Sequence, residues 1–139
     1  MPRQTTTRRS LLRTASAVFA VAPLAGCVDG GDSSPQTIEM DEASFVPSSV
    51  SISPGTTVRW KNTSDVEQTV TAYEDKIPNE AAYFASGGFD SEQAARNNVT
   101  DGLVAPRETY EHTFDQAGTY EYFCIPHESS GMIGTVRVE

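Results

Sequence analysis

The sequence predicts an all-β domain, a β-sandwich with Greek-key connections and a short helical insertion, and three observations carry that prediction. From Thr37 onward, apolar and polar residues alternate with period two in short runs. Turn-forming stretches such as Pro54-Gly55 and Asp115-Gln116-Ala117-Gly118 separate those runs. Only Pro78 to Asn98 breaks the alternation with helix-like patterning, so helices are an excursion from the strand framework. At 139 residues and 37% hydrophobic, the chain has material for one core and too little for two.

Residues 1–26 stand outside that framework. They carry Arg3, Arg8, Arg9 and Arg13 and no acidic residue, and Thr7-Arg8-Arg9-Ser10-Leu11-Leu12 has the twin-arginine form of an export signal. Ala15 to Gly26 is apolar and small-residue-rich but too short to span a bilayer. Leu24-Ala25-Gly26-Cys27 resembles the lipobox of bacterial and archaeal lipoproteins, which implies that Cys27 is lipidated and becomes the first mature residue. Residues 27–36 then form a polar, Gly/Ser-rich tether. Its last nine residues reach about 30 Å at full extension. The expected location is the outer face of the cytoplasmic membrane.

The domain occupies residues 37–139. Ile38 and Met40, Val50 and Ile52, and Val58 and Trp60 mark the inward positions of the first strands. Glu67 to Tyr73 continues the period, with Gln68, Val70 and Ala72 on one face and Thr69, Thr71 and Tyr73 on the other. Asn79 to Ala85, closed by Ser86-Gly87-Gly88, predicts a short capped helix. Asp90 to Arg96, with Gln93 three residues after Asp90, predicts a second. Strands resume over Thr109–Phe114, Thr119–Cys124 and Ile133–Val138, with Tyr120, Tyr122 and Cys124 on one face.

The chemistry is concentrated in Cys124-Ile125-Pro126-His127 and Met132, a Cys-x2-His-x4-Met spacing. A thiolate and an imidazole in a trigonal plane with a weak axial thioether make an electron-transfer copper site, normally completed by a second histidine. If Cys27 carries lipid, Cys124 has no internal disulfide partner, which favours metal ligation for it. Pro126 ends the strand, and Gly131 permits the turn that returns Met132.

The run Gly118-Thr119-Tyr120-Glu121-Tyr122-Phe123-Cys124-Ile125-Pro126-His127 through Met132, followed by Ile133-Gly134-Thr135-Val136, resembles the plastocyanin-like blue copper proteins. Ala72 to Pro78, Ala82 to Phe89 and Tyr110 to Phe114 bring it nearer to the halocyanins, membrane-attached members of that group from salt-loving archaea. The resemblance implies a cupredoxin-like sandwich with one type 1 copper at one end and one-electron transfer. It implies Cys124 and His127 as equatorial ligands and Met132 as the axial one. The family's first histidine lies six residues after the Asn of a Trp-x-Asn segment. Here Trp60-Lys61-Asn62 leads to Gln68, whose amide oxygen is a harder and weaker donor than imidazole. By the same analogy Thr69 is a donor beside the thiolate, and Phe123, pointing opposite to Cys124, belongs to an electron exit route. His112 falls mid-strand and is expected to be structural.

Charge narrows the partners. Four of the ten basic residues lie in the leader, so the remainder keeps six against 19 acidic residues, a formal charge of −13. Nucleic acid is excluded as a partner, and a high-salt exterior or a basic redox protein suits the surface. No phosphate loop, nucleophile elbow or paired-acid motif is present, so the reading is a monomeric carrier and not an enzyme. The alternative is a copper-binding or structural module whose redox function is impaired by Gln68. Asn62-Thr63-Ser64 and Asn98-Val99-Thr100 are glycosylation sequons.

Overall fold

A computed structural model describes residues 34–139. The export segment 1–26, Cys27 and the tether as far as residue 33 lie outside the described residues.

The strands are β1 (Gln36–Met40), β2 (Phe45–Val46), β3 (Ser49–Ile52), β4 (Thr56–Asn62), β5 (Thr71–Ala72), β6 (Thr109–Phe114), β7 (Gly118–Phe123) and β8 (Ile133–Val138). They form two four-stranded sheets, ordered β2-β1-β4-β6 and β3-β8-β7-β5. The first is fixed by β1 running parallel to β4, with Met40 opposite Asn62, and by β6 running antiparallel to β4, with His112 opposite Val58. In the second, β8 pairs parallel with β3 and antiparallel with β7, and β5 closes the edge against Phe123 and Tyr122. The predicted all-β sandwich is therefore observed.

Alternation explains the core. Along β4, Val58 and Trp60 point inward and are fully buried, and along β7 Tyr120 and Tyr122 meet them from the other sheet. Trp60 sits edge-on to Tyr122 at 5.3 Å between ring centroids, with Phe84 and Phe114 beside it.

Three expectations are corrected. Glu67–Tyr73 is a strand only at Thr71–Ala72, and Gln68 to Thr71 are buried without regard to parity. Their second side is not solvent, because residues 84–86 and Val104 lie against them. Ser86 N–H donates to the Val70 carbonyl (2.7 Å), Ala72 N–H to that of Phe84 (3.1 Å), and Gln68 exchanges backbone bonds with Val104.

The helix expected over Asn79–Ala85 does not form. Asn79 and Glu80 form a turn closed by Ala81 N–H on the Pro78 carbonyl (3.0 Å), and those same bonds to Val70 and Ala72, with the burial of Phe84 in the core, take Phe84 to Ser86 out of helical geometry, overriding local propensity. The second helix exists as α1 (Glu92–Asn97), but Ser91 caps it through Ala94 N–H (3.1 Å) in place of Asp90, so the Asp90–Gln93 box is not made.

Candidate metal centre

The centre is built where β7 ends. Cys124 follows Phe123 in extended conformation, and the chain then winds into a 3-10 turn over Ile125–Ser130 with Pro126 near its start. His127 N–H donates to the Cys124 carbonyl (3.1 Å), which pins the imidazole-bearing residue over the cysteine. Gly131, at φ +88°, reverses the chain. Its N–H donates to the Glu128 carbonyl (2.9 Å) and Met132 N–H to that of His127 (3.3 Å). Cys124 N–H then donates to the Met132 carbonyl (3.1 Å), so the loop begins and ends at one place and carries Met132 back beside Cys124.

Gln68 comes from the segment that leads into β5, where it is bridged to Val104. Its Oε1 lies 3.5 Å from Cys124 Sγ, and His127 Nδ1 lies 3.4 Å from the same sulfur. Cys124, Met132 and Gln68 are fully buried and His127 is partly exposed. Donors this close can share one ion at bond lengths of about 2.0–2.3 Å. The set of thiolate, imidazole, thioether and amide oxygen suits copper in its soft members and departs from it in the fourth. Among the described residues no cluster of three or more His, Cys, Asp or Glu side chains occurs, so a metal here depends on Met132 and Gln68 as well.

Burial pushes the Cys124 thiol up, and N–H donors from Thr69 and His127 partly offset that. A cation beside the sulfur would reverse the balance and favour thiolate.

The expectation for Thr69 is refined. Its backbone N–H faces Sγ at 3.4 Å, while its hydroxyl accepts the Ile125 N–H at 2.8 Å and so ties the turn to the segment that leads into β5, the neighbour of β7. Phe123 does point away from Cys124, but it is fully buried under Tyr73, stacked at 4.3 Å, and the Arg96 guanidinium, 4.4 Å from its centroid. Tyr73 and Arg96, both partly exposed, lie between Phe123 and solvent.

His112 stacks on Phe84 at 4.8 Å, and its partner Val58 is four residues, about 13 Å, from the Asn62 end of β4 that adjoins Gln68. It is packed in the aromatic core away from the Cys124 turn.

The sequence reading missed Asn62 and Ser64 as parts of this site. Asn62, read there as a sequon and as the marker six residues before Gln68 but not as a contact of the site, is fully buried, with Nδ2 donating to the Val66 (2.8 Å) and Val104 (2.9 Å) carbonyls. The available signal was its parity: two residues after Trp60, an Asn occupies an inward strand position.

A two-sheet sandwich with a Cys, His and Met turn at one end defines a cupredoxin fold. The profile of copper binding proteins, plastocyanin/azurin family, matches residues 34–139, and the chain belongs to that family. It is 40% identical over 95 residues to plastocyanin of Scenedesmus fuscus, covering 68% of this chain and 86% of that one. It is 36% identical over 124 residues to the chloroplastic plastocyanin of Pisum sativum, covering 89% of this chain and 62% of that protein's length. Among solved structures it resembles amicyanin of Paracoccus versutus (27% identity, TM-score 0.51, 76% of this chain and 81% of that one). The purple cupredoxin of Nitrosopumilus maritimus shares the fold (20% identity, TM-score 0.53, 75% and 99%).

Proposed function

We propose that this chain is a halocyanin-like electron carrier that holds one copper ion through Cys124, His127 and Met132, with Gln68 facing the fourth position. The observation that carries the reading is the convergence of Gln68 Oε1 and His127 Nδ1 on Cys124 Sγ beside buried Met132. A bound copper would supply a one-electron couple. The chain's own residues exclude water from the sulfur, give it the Thr69 N–H and fix the turn, so that little rearranges between oxidation states.

Export through the twin-arginine segment and a lipid at Cys27 would keep the domain at the outer face of the cytoplasmic membrane. Its strongly acidic surface favours a basic redox protein as partner. Replacing an imidazole by an amide oxygen removes a donor that Cu(II) prefers, while Cu(I) is served by the two sulfurs and His127. Cu(II) affinity is therefore lowered and the potential raised relative to a Gln68→His variant.

The test compares visible absorption and redox titration of the copper-loaded protein with those of Gln68→His. The expected result is reversible one-electron behaviour in both, with a different thiolate band and a lower potential in the variant. Identical intense bands would sink the assigned role of Gln68. A colourless, redox-silent protein would favour the second reading, a copper-binding module whose carrier function has lapsed, which the presence of Gln68 itself recommends.

A further inference from the structure

The donor atom that Gln68 presents is decided by a chain of hydrogen bonds that begins at Asn62. The Asn62 amide has one compatible orientation. Nδ2 spends its two hydrogens on the Val66 and Val104 carbonyls, and Oδ1 accepts from Ser64 N–H (2.9 Å) and Ser64 Oγ (2.6 Å). The single hydroxyl hydrogen of Ser64 has two acceptors, Asn62 Oδ1 at 2.6 Å and the Val66 carbonyl at 3.0 Å, the shorter contact being to Asn62, and in either case its Oγ turns lone pairs toward Val66 N–H (3.3 Å) and Gln68 Nε2 (3.0 Å).

Gln68 Nε2 also meets the carbonyls of Asp41 (2.5 Å) and Met40 (3.4 Å). All three neighbours on that side are acceptors. Turning the amide over would set Oε1 against two carbonyls and a hydroxyl lone pair in a buried site, and would aim Nε2 at Cys124.

We infer that Ser64, oriented by Asn62, is a positioning residue that fixes the Gln68 amide with Oε1 toward Cys124 and makes this pocket selective for an N–H-bearing side chain. The inference rests on the reading of Gln68 as standing in the metal position. Glutamine satisfies the pocket with its NH2 and offers oxygen to the metal; histidine satisfies it with one ring N–H and offers nitrogen. Glutamate fits neither way when ionised, since its second oxygen faces three acceptors. The pocket thus admits the exchange between His and Gln that distinguishes this chain from the blue copper pattern, and rejects a carboxylate of the same shape.

The test reads the Gln68 side-chain amide in nitrogen-15 spectra of the full chain without metal, and then copper loading of the same samples. Native protein is expected to show two separate Gln68 Hε resonances, protected from solvent exchange and with cross-relaxation to Ser64 Hβ and not to Cys124 Hβ. Ser64→Ala should speed that exchange at least about fivefold, and Ser64→Thr, which keeps the hydroxyl, should restore it.

Unchanged exchange in a folded Ser64→Ala, or cross-relaxation from Gln68 Hε to Cys124 Hβ, would overturn the inference. Should Ser64→Ala not fold, Gln68→Glu and Gln68→His decide the matter. The inference expects the His variant to fold as native and the Glu variant to lose its folded spectrum above neutral pH, and equal tolerance of both would overturn it. Copper titration of native protein tests the site reading separately, because the amide spectrum requires no metal.

Discussion

Arg96 grips Glu128 through both terminal guanidinium nitrogens, Nη1 at 2.8 Å from Oε1 and Nη2 at 3.2 Å from Oε2. The pair joins helix α1 to the turn between His127 and Met132, two segments 32 residues apart in sequence. Tyr73 Oη adds a hydrogen bond to Glu128 at 2.8 Å, and Arg96 also holds Glu92 at 2.8 Å while covering Phe123. Arg96 beside it is the first cause holding the Glu128 carboxyl below the usual carboxylate range.

Arg96→Ala should therefore cost about 1–2 kcal/mol, less than a fully buried pair because both side chains are about a third exposed. Arg96→Lys should recover less than half, since an ammonium cannot make the two-point contact. The native-minus-variant difference should be present above pH 4.5, the ordinary carboxyl value, and fade as pH falls through the lower folded value. Urea denaturation at several pH values checks this; equal midpoints for native protein and Arg96→Ala at neutral pH would show that the clamp contributes nothing.

Gly134 faces Tyr122 across the β7–β8 ladder, and a Cβ there would lie 2.4 Å from both Cζ and Oη of the tyrosine. The ring is fully buried and packed edge-on against Phe45 and Trp60, so it has no direction in which to yield. Gly134→Ala should destabilise the domain by about 1–3 kcal/mol through overpacking. A denaturation midpoint equal to the native one would mean that β8 shifts freely.

His112 predicts a pH dependence of opposite origin to Glu128. Burial lowers its pKa below 6.5, with Asp115 opposing weakly, because the charged ring would be desolvated on Phe84 and Phe114. Between the folded value and 6.5 the unfolded chain binds more protons, so this group makes stability rise with pH through that window and level off above it. His112→Phe keeps the stacking and removes the titration. Subtracting the variant's pH profile from the native one should leave a slope only below 6.5; a flat difference would show that His112 titrates as in the unfolded chain.

The strands were legible because period two survives wherever one face meets a core and the other meets water, and β6 and β8 begin and end where the alternation does. The pattern failed at Gln68–Thr71 and at Asn79–Ala85 for one shared reason. Phe84 to Ser86 lie against Val70 to Ala72 and Val104 lies against Gln68, so neither stretch meets solvent there, and pairing between residues distant in sequence outweighs local propensity. The Cys124, His127 and Met132 grouping was readable because a single tight turn holds it. Ser64 was not, because its role exists only once β1, β4 and the loop after β4 bring three acceptors together around Gln68.

Asn62 supplies the last prediction, since the same side chain was read as a glycosylation acceptor and is found as a buried donor. Its Nδ2 hydrogens are both committed to carbonyls and its Oδ1 to Ser64, leaving no exposed nitrogen for a glycan in the folded domain. Asn98 is exposed, so any glycan on the folded protein should map to Asn98 and none to Asn62. Asn62→Asp changes only one atom, yet it sets a carboxylate oxygen against the Val66 and Val104 carbonyls in a site without solvent. The expected cost is at least about 2 kcal/mol, above that of a neutral lost hydrogen bond because a charge is left buried. The loss should shrink as pH falls and the carboxyl takes a proton, becoming able to donate to one of the two carbonyls again. Denaturation of Asn62→Asp at neutral and acidic pH, each referred to native protein, checks both parts; a pH-independent difference would mean that the side chain has swung out to water and that the loop after β4 does not depend on it.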